Sequence, residues 1–141
     1  MTEVASRAHR ALRRMENYQD LTKDSVPAEL NLPLADGERV IGIYRNDPHD
    51  LHEAIVFTDK GLYVNKNTVW QRLLFSEIER ILSSETKQDV AGMTILRHDG
   101  TRFYLPAKGS LPKSGSEGSR TYDVFGVLRF LLRVTEDLVR Q

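Results

Sequence analysis

The sequence predicts a single α+β domain in which about seven antiparallel strands form a small barrel or an open orthogonal sandwich, with a helix at each end of the chain. Three observations predict this fold. The chain has 141 residues, which fits one domain of ordinary size. Apolar residues recur at steps of three and four near both termini, which is the spacing of a helix. Between them, short runs of β-forming residues alternate with turn residues, as in successive antiparallel hairpins.

Composition is that of a globular protein and excludes several kinds of site. Apolar residues make up 40% and charged residues 28% of the sequence, which argues against a disordered chain. The 20 basic and 20 acidic side chains cancel, so nucleic acid is not an expected partner and anionic lipid gains no global attraction. The sequence has no cysteine, which excludes disulfides, thiolate catalysis and cysteine-based zinc sites.

We expect a cytoplasmic protein. No run in the sequence reaches the roughly 18 to 20 apolar residues that cross a bilayer. Residues 1–20 also lack the apolar stretch of a secretion signal. The alternative is an organelle transit peptide, because several arginines lie here among few acidic residues: Arg7, Arg10, Arg13 and Arg14.

The first predicted element is an amphipathic helix over residues 2–21. Its apolar stripe consists of Val4, Ala8, Ala11, Leu12, Met15 and Tyr18, and the arginines lie largely off that stripe. A short helical turn and a tight connection follow. We therefore divide the chain into residues 1–35, an N-terminal helix and connection, and residues 36–141, the β-rich domain.

Seven strands are predicted after residue 36. They are Arg39–Arg45, Glu53–Phe57, Leu62–Asn65, Val69–Phe75, Ile78–Ser83, Gly92–Arg97 and Thr101–Leu105. Gly61 and the pair Asp99-Gly100 favour tight hairpin turns, since glycine accepts the positive φ that such turns require.

The last part of the chain is predicted to be a loop followed by a helix. Residues 107–120 are rich in glycine and serine, which is typical of a flexible loop. The final helix is expected to cover one opening of the barrel with a stripe formed by Tyr122, Phe125, Leu128, Leu131, Leu132, Thr135, Leu138 and Val139.

The run from Phe57 to Val64, FTDKGLYV, resembles the second hairpin of bacterial pleckstrin-homology-like (PH-like) domains. Trp70 and the run from Leu74 to Ile81, LFSEIERI, are similar to the next part of that family. The resemblance covers about residues 36–139, and its motifs are mostly structural. It implies a PH-like fold, which in this chain carries an extra N-terminal helix.

The resemblance also bears on ligands. Lipid-binding members of this superfamily place lysine and arginine around the first hairpin loop to bind inositol phosphates. The corresponding segment here, residues 46–50, contains Asp47 and Asp50, and only Arg45 beside it is basic. We therefore do not expect phosphoinositide binding at this loop.

Residues 47–53 hold the densest group of metal-ligating residue types in the sequence. The weak candidates for a divalent cation are His49, His52 and Asp50. A proline-containing turn holds ligands poorly, so the favoured interpretation is a polar hairpin tip in which the aspartates stabilise the turn. We predict no metal site and no cofactor.

Five residues are candidates for contact with a partner. Arg7, Arg10 and Arg14 are predicted to lie in solvent on a docked helix, or to bind an acidic surface. Tyr63 and Trp70 could mark a binding face, because aromatic residues are common at interaction hot spots. Such aromatic residues are more often half-buried on a sheet.

The sequence shows no catalytic pattern: its serines lie in no nucleophile elbow, and no phosphate-loop spacing is present. We expect a non-catalytic binding or adaptor module that acts through protein–protein contacts. Its binding surface would be the groove beside the closing helix or an open strand edge, and self-association is also possible. The alternatives are a peripheral membrane module that uses the basic N-terminal helix, or an immunity protein that neutralises a toxin.

Overall fold

The computed structural model describes residues 3–23, 26–47, 49–82, 91–112 and 120–140. Within them the helices are α1 (Glu3–Leu12) and α2 (Asp123–Val139), with short 3₁₀ turns at Ala28–Leu30 and Phe75–Glu77. The strands are β1 (Tyr18–Asp20), β2 (Val40–Tyr44), β3 (Ile55–Thr58), β4 (Gly61–Lys66), β5 (Val69–Leu74), β6 (Ile78–Leu82), β7 (Gly92–Arg97), β8 (Arg102–Pro106), β9 (Ser110–Pro112) and β10 (Arg120–Tyr122).

All strand pairs in the described chain are antiparallel and join consecutive strands. The strands form a sheet of order β1-β2-β3-β4-β5, a sheet of order β6-β7-β8, and the small pair β9-β10. The predicted α+β architecture of antiparallel strands is therefore confirmed, with a C-terminal helix and an additional N-terminal helix. In the described part of the chain the two main sheets are not hydrogen-bonded into a closed barrel.

The main core lies between the two sheets and the helices. The side chains of sheet residues such as Phe57, Leu62 and Ile95 meet those of Phe130 and Leu131 from α2. Phe130 makes edge-to-face contacts with Phe57 and Phe75, with ring centroids 5.3 and 5.8 Å apart. Such pairs add to the stabilisation that burial of the rings provides.

A second core covers the outer face of the five-stranded sheet. Leu21 and Leu30, from the segment that precedes β2, pack there against Ile43, Val56 and Tyr63. Side chains of β2, β3 and β4 are thus buried on both faces of the sheet. This explains why these strands are nearly continuously apolar in the sequence.

The N-terminal helix is shorter than predicted. α1 ends at Leu12 instead of residue 21, and the predicted start at residue 2 lies outside the described residues. Tyr18–Asp20 pairs with β2 as a strand, so hydrogen bonds to an existing sheet replace helical ones. Met15 and Tyr18 still pack on the core although they have left the helix, which is why their spacing looked helical.

The predicted loop over residues 107–120 is only partly correct. Its first part contains β9, and its last residue, Arg120, begins β10. Residues 113–119 lie outside the described residues, as does Ser83 at the end of the predicted strand that corresponds to β6.

The predicted buried stripe of the final helix is wrong in four of its eight members, whereas Leu131 is buried and Tyr122 and Leu128 pack partly buried on the core. The residues of α2 that the structure buries are Asp123, Val124, Val127, Phe130, Leu131 and Val134. Four residues of the predicted stripe are exposed, namely Phe125, Leu132, Leu138 and Val139. The helix is apolar on two adjacent faces, and the spacing alone does not tell which of them meets the sheets.

The division into residues 1–35 and 36–141 stays a prediction. Residues 1–35 nevertheless contact the second part directly, since β1 pairs with β2 in the five-stranded sheet and α1 packs on α2. Gly126 allows this close approach, because a side chain there would collide with Met15 Cε and crowd the carbonyl of Ala11.

Candidate functional site

An apolar groove runs beside α2. It has a volume of about 520 Å³ and lies between the outer part of α2, the 3₁₀ turn Phe75–Glu77 and the start of β6. We call it the α2 groove, and its main lining residues are Phe75, Ile78, His98, Leu132, Leu138 and Val139. A second hollow of about 530 Å³ meets it at Phe75, Ser76 and Leu138. The two hollows together form a continuous apolar surface along the helix.

Large apolar side chains are unusually exposed along this part of α2. Relative exposure is 52% for Phe125, 51% for Leu132, 37% for Leu138 and 86% for Val139. Single exposed apolar residues are normal on proteins, but a row of them beside a groove is typical of an interaction surface.

The first end of α2 is held by a buried polar cluster. The hydroxyl of Tyr44 donates to Asp123 Oδ2 at 2.8 Å and accepts from the backbone N–H of Gly109 at 2.9 Å. Burial raises the pKa of Asp123, although the hydrogen bond from Tyr44 acts in the opposite direction. Burial and the same hydrogen bond raise the pKa of Tyr44. These bonds fix the start of α2 to β2.

The other end of α2 is held by Arg7. Its Nε and Nη2 donate to the two carboxylate oxygens of Asp137 at 3.0 and 3.1 Å. This bidentate pair keeps the pKa of Asp137 below its ordinary value, chiefly through the hydrogen bond from Arg7. Arg7, predicted as a partner contact, is therefore engaged within the chain and docks α1 on α2.

The other predicted basic contacts lie in solvent. Arg10 and Arg14 are exposed and make no hydrogen bond or ion pair with any described residue. Exposed arginines also occur on the neighbouring helix, at Arg129, Arg133 and Arg140. Glu136 neutralises part of that charge through Arg140, at 2.7 Å. The two helices thus present a mainly basic border on the side of α2 that bears α1.

A separate cleft of about 810 Å³ lies on the outer face of the five-stranded sheet. We call it the Trp70 cleft. Three sequence candidates meet there, since Trp70, Asp50 and His52 all line it. Glu29, Asn65 and Val69 are further lining residues. Trp70 and Asn65 are cross-strand partners on β5 and β4, so both project on the same side of the sheet.

Trp70 is fixed in this cleft. Its indole N–H donates to the carbonyl of Leu30 at 2.7 Å, and Leu30 itself is buried in the outer core. The tryptophan is thus half-buried with its polar group satisfied, and part of its surface remains at the cleft.

Residues with a left-handed backbone cluster around the same cleft. Asn31, Asn67 and Thr68 line it with φ values of 45°, 53° and 66°, and Glu53, beside His52, has φ 58°. Asn67 and Thr68 form the two-residue turn between β4 and β5, a position that favours glycine or asparagine. A β-branched residue such as threonine is strained there.

Tyr63, also predicted to mark a binding face, is fully buried, so that prediction is wrong. Its hydroxyl donates to Glu38 Oε1 at 2.7 Å. Burial and this hydrogen bond raise the pKa of Tyr63 to about 12.

Sequence reasoning missed the role of Glu38. This buried carboxylate accepts hydrogen bonds from Thr58 Oγ1 at 2.6 Å, from the backbone N–H of Ala35 at 3.0 Å and from Arg72 at 3.2 Å, besides Tyr63. Burial alone would raise the pKa of Glu38, but the hydrogen bonds and the charge of Arg72 outweigh it and lower the pKa. The only sequence signal was an acidic residue beside an apolar strand.

The metal candidates do not form a cluster. Asp47 and Asp50 accept the backbone N–H groups of His49 and His52, at 2.8 and 2.6 Å, which is the turn-stabilising role that the sequence favoured. Among the described residues, no group of three or more ligating side chains could hold a metal ion.

No helix in the described ranges combines the length and the apolar character needed to span a bilayer.

This chain is similar to a protein of known structure. No model of a known protein family matches the chain, and no curated protein matches it. A solved DUF1696 family protein with a pleckstrin-homology domain, from Shewanella loihica PV-4, is similar with a TM-score of 0.49 and 16% sequence identity. The match covers 84% of this chain and 97% of that one.

Proposed function

We propose that this chain is a non-catalytic binding module that holds an extended apolar segment of a protein partner in the α2 groove. The observation that carries the proposal is the set of exposed apolar side chains of α2 that line the groove, namely Leu132 at 51%, Leu138 at 37% and Val139 at 86%. Water contact with such a row is unfavourable, and a partner that covers it would gain the free energy of apolar burial.

The form of the groove favours an extended segment. Among the described strands, β6 pairs with β7 only. The backbone N–H and C=O groups along its other edge are therefore available to a further strand. Ile78 and Glu79 at the start of β6 line the groove opposite Leu132 and Leu138. A peptide could therefore add to this edge and place alternate side chains against α2.

The groove itself is lined by Glu79 and Glu136, so charge supports a partner whose acidic residues lie on its flank, beside the arginines, and not in the groove. Arg129, Arg133 and Arg140 border the exposed row on α2, and Arg10 and Arg14 add positive charge from α1. Opposite charges at the rim of an interface chiefly increase the association rate and the specificity.

A membrane surface is the second candidate, because exposed apolar residues beside arginines are also typical of interfacial helices. The concave groove favours the peptide, since a flat bilayer would not fill the space between α2 and β6. The immunity-protein alternative would use the same groove for a toxin segment. The motifs of residues 57–81 support placing the proposed module in the bacterial PH-like family, and we propose the cytoplasm as its location.

A peptide-display selection on the immobilised chain tests the proposal. We expect enrichment of peptides with alternating apolar residues and acidic flanks. Leu132→Asp should weaken their binding at least about tenfold, since a central apolar contact of an interface is worth about 1 to 2 kcal/mol or more. Val26→Asp is the matched control, because it makes the same kind of change at an exposed valine outside the groove and outside the Trp70 cleft.

Two outcomes would contradict the proposal. One is an absence of enriched peptides, or enriched peptides that bind Leu132→Asp as well as the parent chain. The other is co-sedimentation with vesicles of phosphatidylcholine and phosphatidylserine that Leu132→Asp abolishes, which would assign the same surface to a membrane.

A further inference from the structure

We infer that the Trp70 cleft is a second binding site, independent of the α2 groove, which takes a peptide segment through an arginine or lysine side chain. Its volume of about 810 Å³ is within the range of roughly 300 to 1,000 Å³ found for ligand sites. That space exceeds a single side chain, which is why a segment of several residues is the fitting ligand.

The charges that line the cleft select a cation. Glu29 stands on the 3₁₀ turn before β2 and Asp50 on the loop between β2 and β3, so two carboxylates come from separate segments. No lysine or arginine lies among the residues that line the cleft, and His52 is its only other titratable group in the described chain. A phosphate or an acidic peptide would therefore meet repulsion here, while a guanidinium or ammonium group would be attracted.

The side chain of Asn65 is a second observation, independent of the charges, that points to a ligand in the cleft. It is only 8% exposed, and its side-chain amide makes no hydrogen bond to any described residue. The amide atoms are not sealed off from solvent, so they reach the cleft and are available to a ligand. The amide lies on the cleft side of β4, beside Trp70, and its oxygen could accept an N–H group of the bound cation.

Trp70 supplies the remaining part of the site. Tryptophan has the aromatic ring that attracts cations most strongly, and this ring is already oriented by its bond to Leu30. The strained turn at Asn67 and Thr68 holds the end of the same hairpin at the cleft. Strain of this kind tends to occur at binding sites, where the surrounding structure keeps the backbone in place.

Trp70 is the single tryptophan of the chain, so its fluorescence reports on this cleft alone. We would titrate the full chain at physiological ionic strength with a short arginine-rich peptide, a matched aspartate-rich peptide and free arginine. The expected result is a saturable change in emission with the arginine-rich peptide and none with the aspartate-rich one. Saturation by free arginine at a similar concentration would show that the cation alone is the ligand and would overturn the peptide part of the inference.

Paired variants make the test specific. Val69 lines the cleft and is 61% exposed, so replacing it should leave the fold intact. Val69→Lys should weaken binding at least about fivefold, as a competing charge would, and Val69→Asp should not weaken it. Glu29→Gln with Asp50→Asn should also weaken binding, whereas Glu16→Gln, an exposed glutamate outside the cleft, should have no effect.

The inference is overturned if the arginine-rich peptide leaves the emission unchanged, or if Val69→Lys and Val69→Asp bind it equally. Neither result bears on the α2 groove, because Leu132 lies outside this cleft and has its own assay.

Discussion

Thr68 occupies a backbone position that suits other residues better. Its φ of 66° belongs to the left-handed region, in the second position of a two-residue turn where glycine is common. A non-glycine residue held there costs of order 1 to 3 kcal/mol, and glycine itself loses about 0.5 to 1 kcal/mol through its freer unfolded chain.

We therefore expect Thr68→Gly to raise the free energy of unfolding by about 1 kcal/mol, measured by chemical denaturation. Asn67→Gly is the control, since asparagine tolerates the left-handed region and should gain less from the change. A loss of stability in Thr68→Gly would show that the threonine side chain makes a contact worth more than the strain.

Glu38 shows how a buried charge ties the chain together. Four donors converge on this carboxylate, and they come from three parts of the chain: the segment before β2, the β3–β4 hairpin and β5. Glu38→Gln should cost about 1 to 3 kcal/mol of unfolding free energy at neutral pH, because it removes the charge and leaves donors mismatched.

The pH dependence of that loss has a definite sign. The pKa of Glu38 is lower in the folded chain than its ordinary value of 4.5. The stabilisation is therefore complete above that value and disappears as the pH falls through the lower, folded pKa. Denaturation curves of the parent chain and Glu38→Gln should converge in acid, whereas Glu79→Gln on the exposed part of β6 should track the parent at every pH. A constant difference between the curves down to strong acid would contradict this linkage.

At the scale of elements, α2 has two apolar faces with different roles. Phe130 is fully buried and touches two other aromatic rings, whereas Phe125 is about half exposed on the same helix. Phe130→Ala should cost about 3 to 5 kcal/mol through lost burial and a cavity. Phe125→Ala should change the free energy of unfolding by no more than about 0.5 kcal/mol.

Chemical denaturation of the two variants measures this directly, and each serves as the control for the other because residue type and helix are the same. Equal losses would mean that Phe125 is covered in solution, for instance by a second copy of the chain. A size-exclusion experiment on the parent chain would then separate self-association from a wrong orientation of the helix.

The elements also show what could be predicted from sequence. The seven main strands were predicted because each is a short β-rich run between turn residues, and Asp99-Gly100 marked a hairpin in which Gly100 has the expected positive φ of 87°. Gly61 also marked a hairpin that forms, but the positive φ predicted for it is wrong; a side chain there would instead collide with the backbone of Leu73. The face of α2 was wrongly predicted because Phe125, Leu128 and Leu132 repeat as regularly as Val124, Val127 and Leu131. The choice between two such stripes depends on contacts with distant strands, which local spacing does not contain.

The candidate sites were predicted less well than the fold. Asp50 and His52 were identified together and Trp70 separately, because β5 and the β2–β3 loop meet only in the folded chain. Asn65 and Glu38 carried no motif, and their importance comes from burial, which depends on the whole structure.

At the scale of the whole molecule, the sheet of five strands has a core on each side. Leu21 and Leu30 cover its outer face, and α1 contributes Ala8 and Leu12 to the inner core. The residues before 36 therefore supply buried surface on both sides of the sheet.

We expect a chain reduced to residues 36–141 to lose cooperative unfolding and to bind a hydrophobic dye, since Tyr63 and Val56 would be uncovered. A chain that begins at residue 16 is the control, because it keeps β1 and the outer cover while it lacks α1. It should unfold at a lower temperature than the parent chain but still cooperatively. Cooperative, dye-free behaviour of residues 36–141 would show that the outer cover is dispensable.

The fastening of α2 at both ends has a mechanical consequence. Tyr44 anchors its first turn and Arg7 its last, so the helix is held in place along one side of the α2 groove. Any widening of the α2 groove must then come from its opposite side, the stretch from Phe75 to Leu82. In the described chain, the edge of β6 that faces away from β7 pairs with no strand. A ligand in the α2 groove should therefore slow amide hydrogen exchange from Phe75 to Leu82 and leave the exchange rates of α2 nearly unchanged.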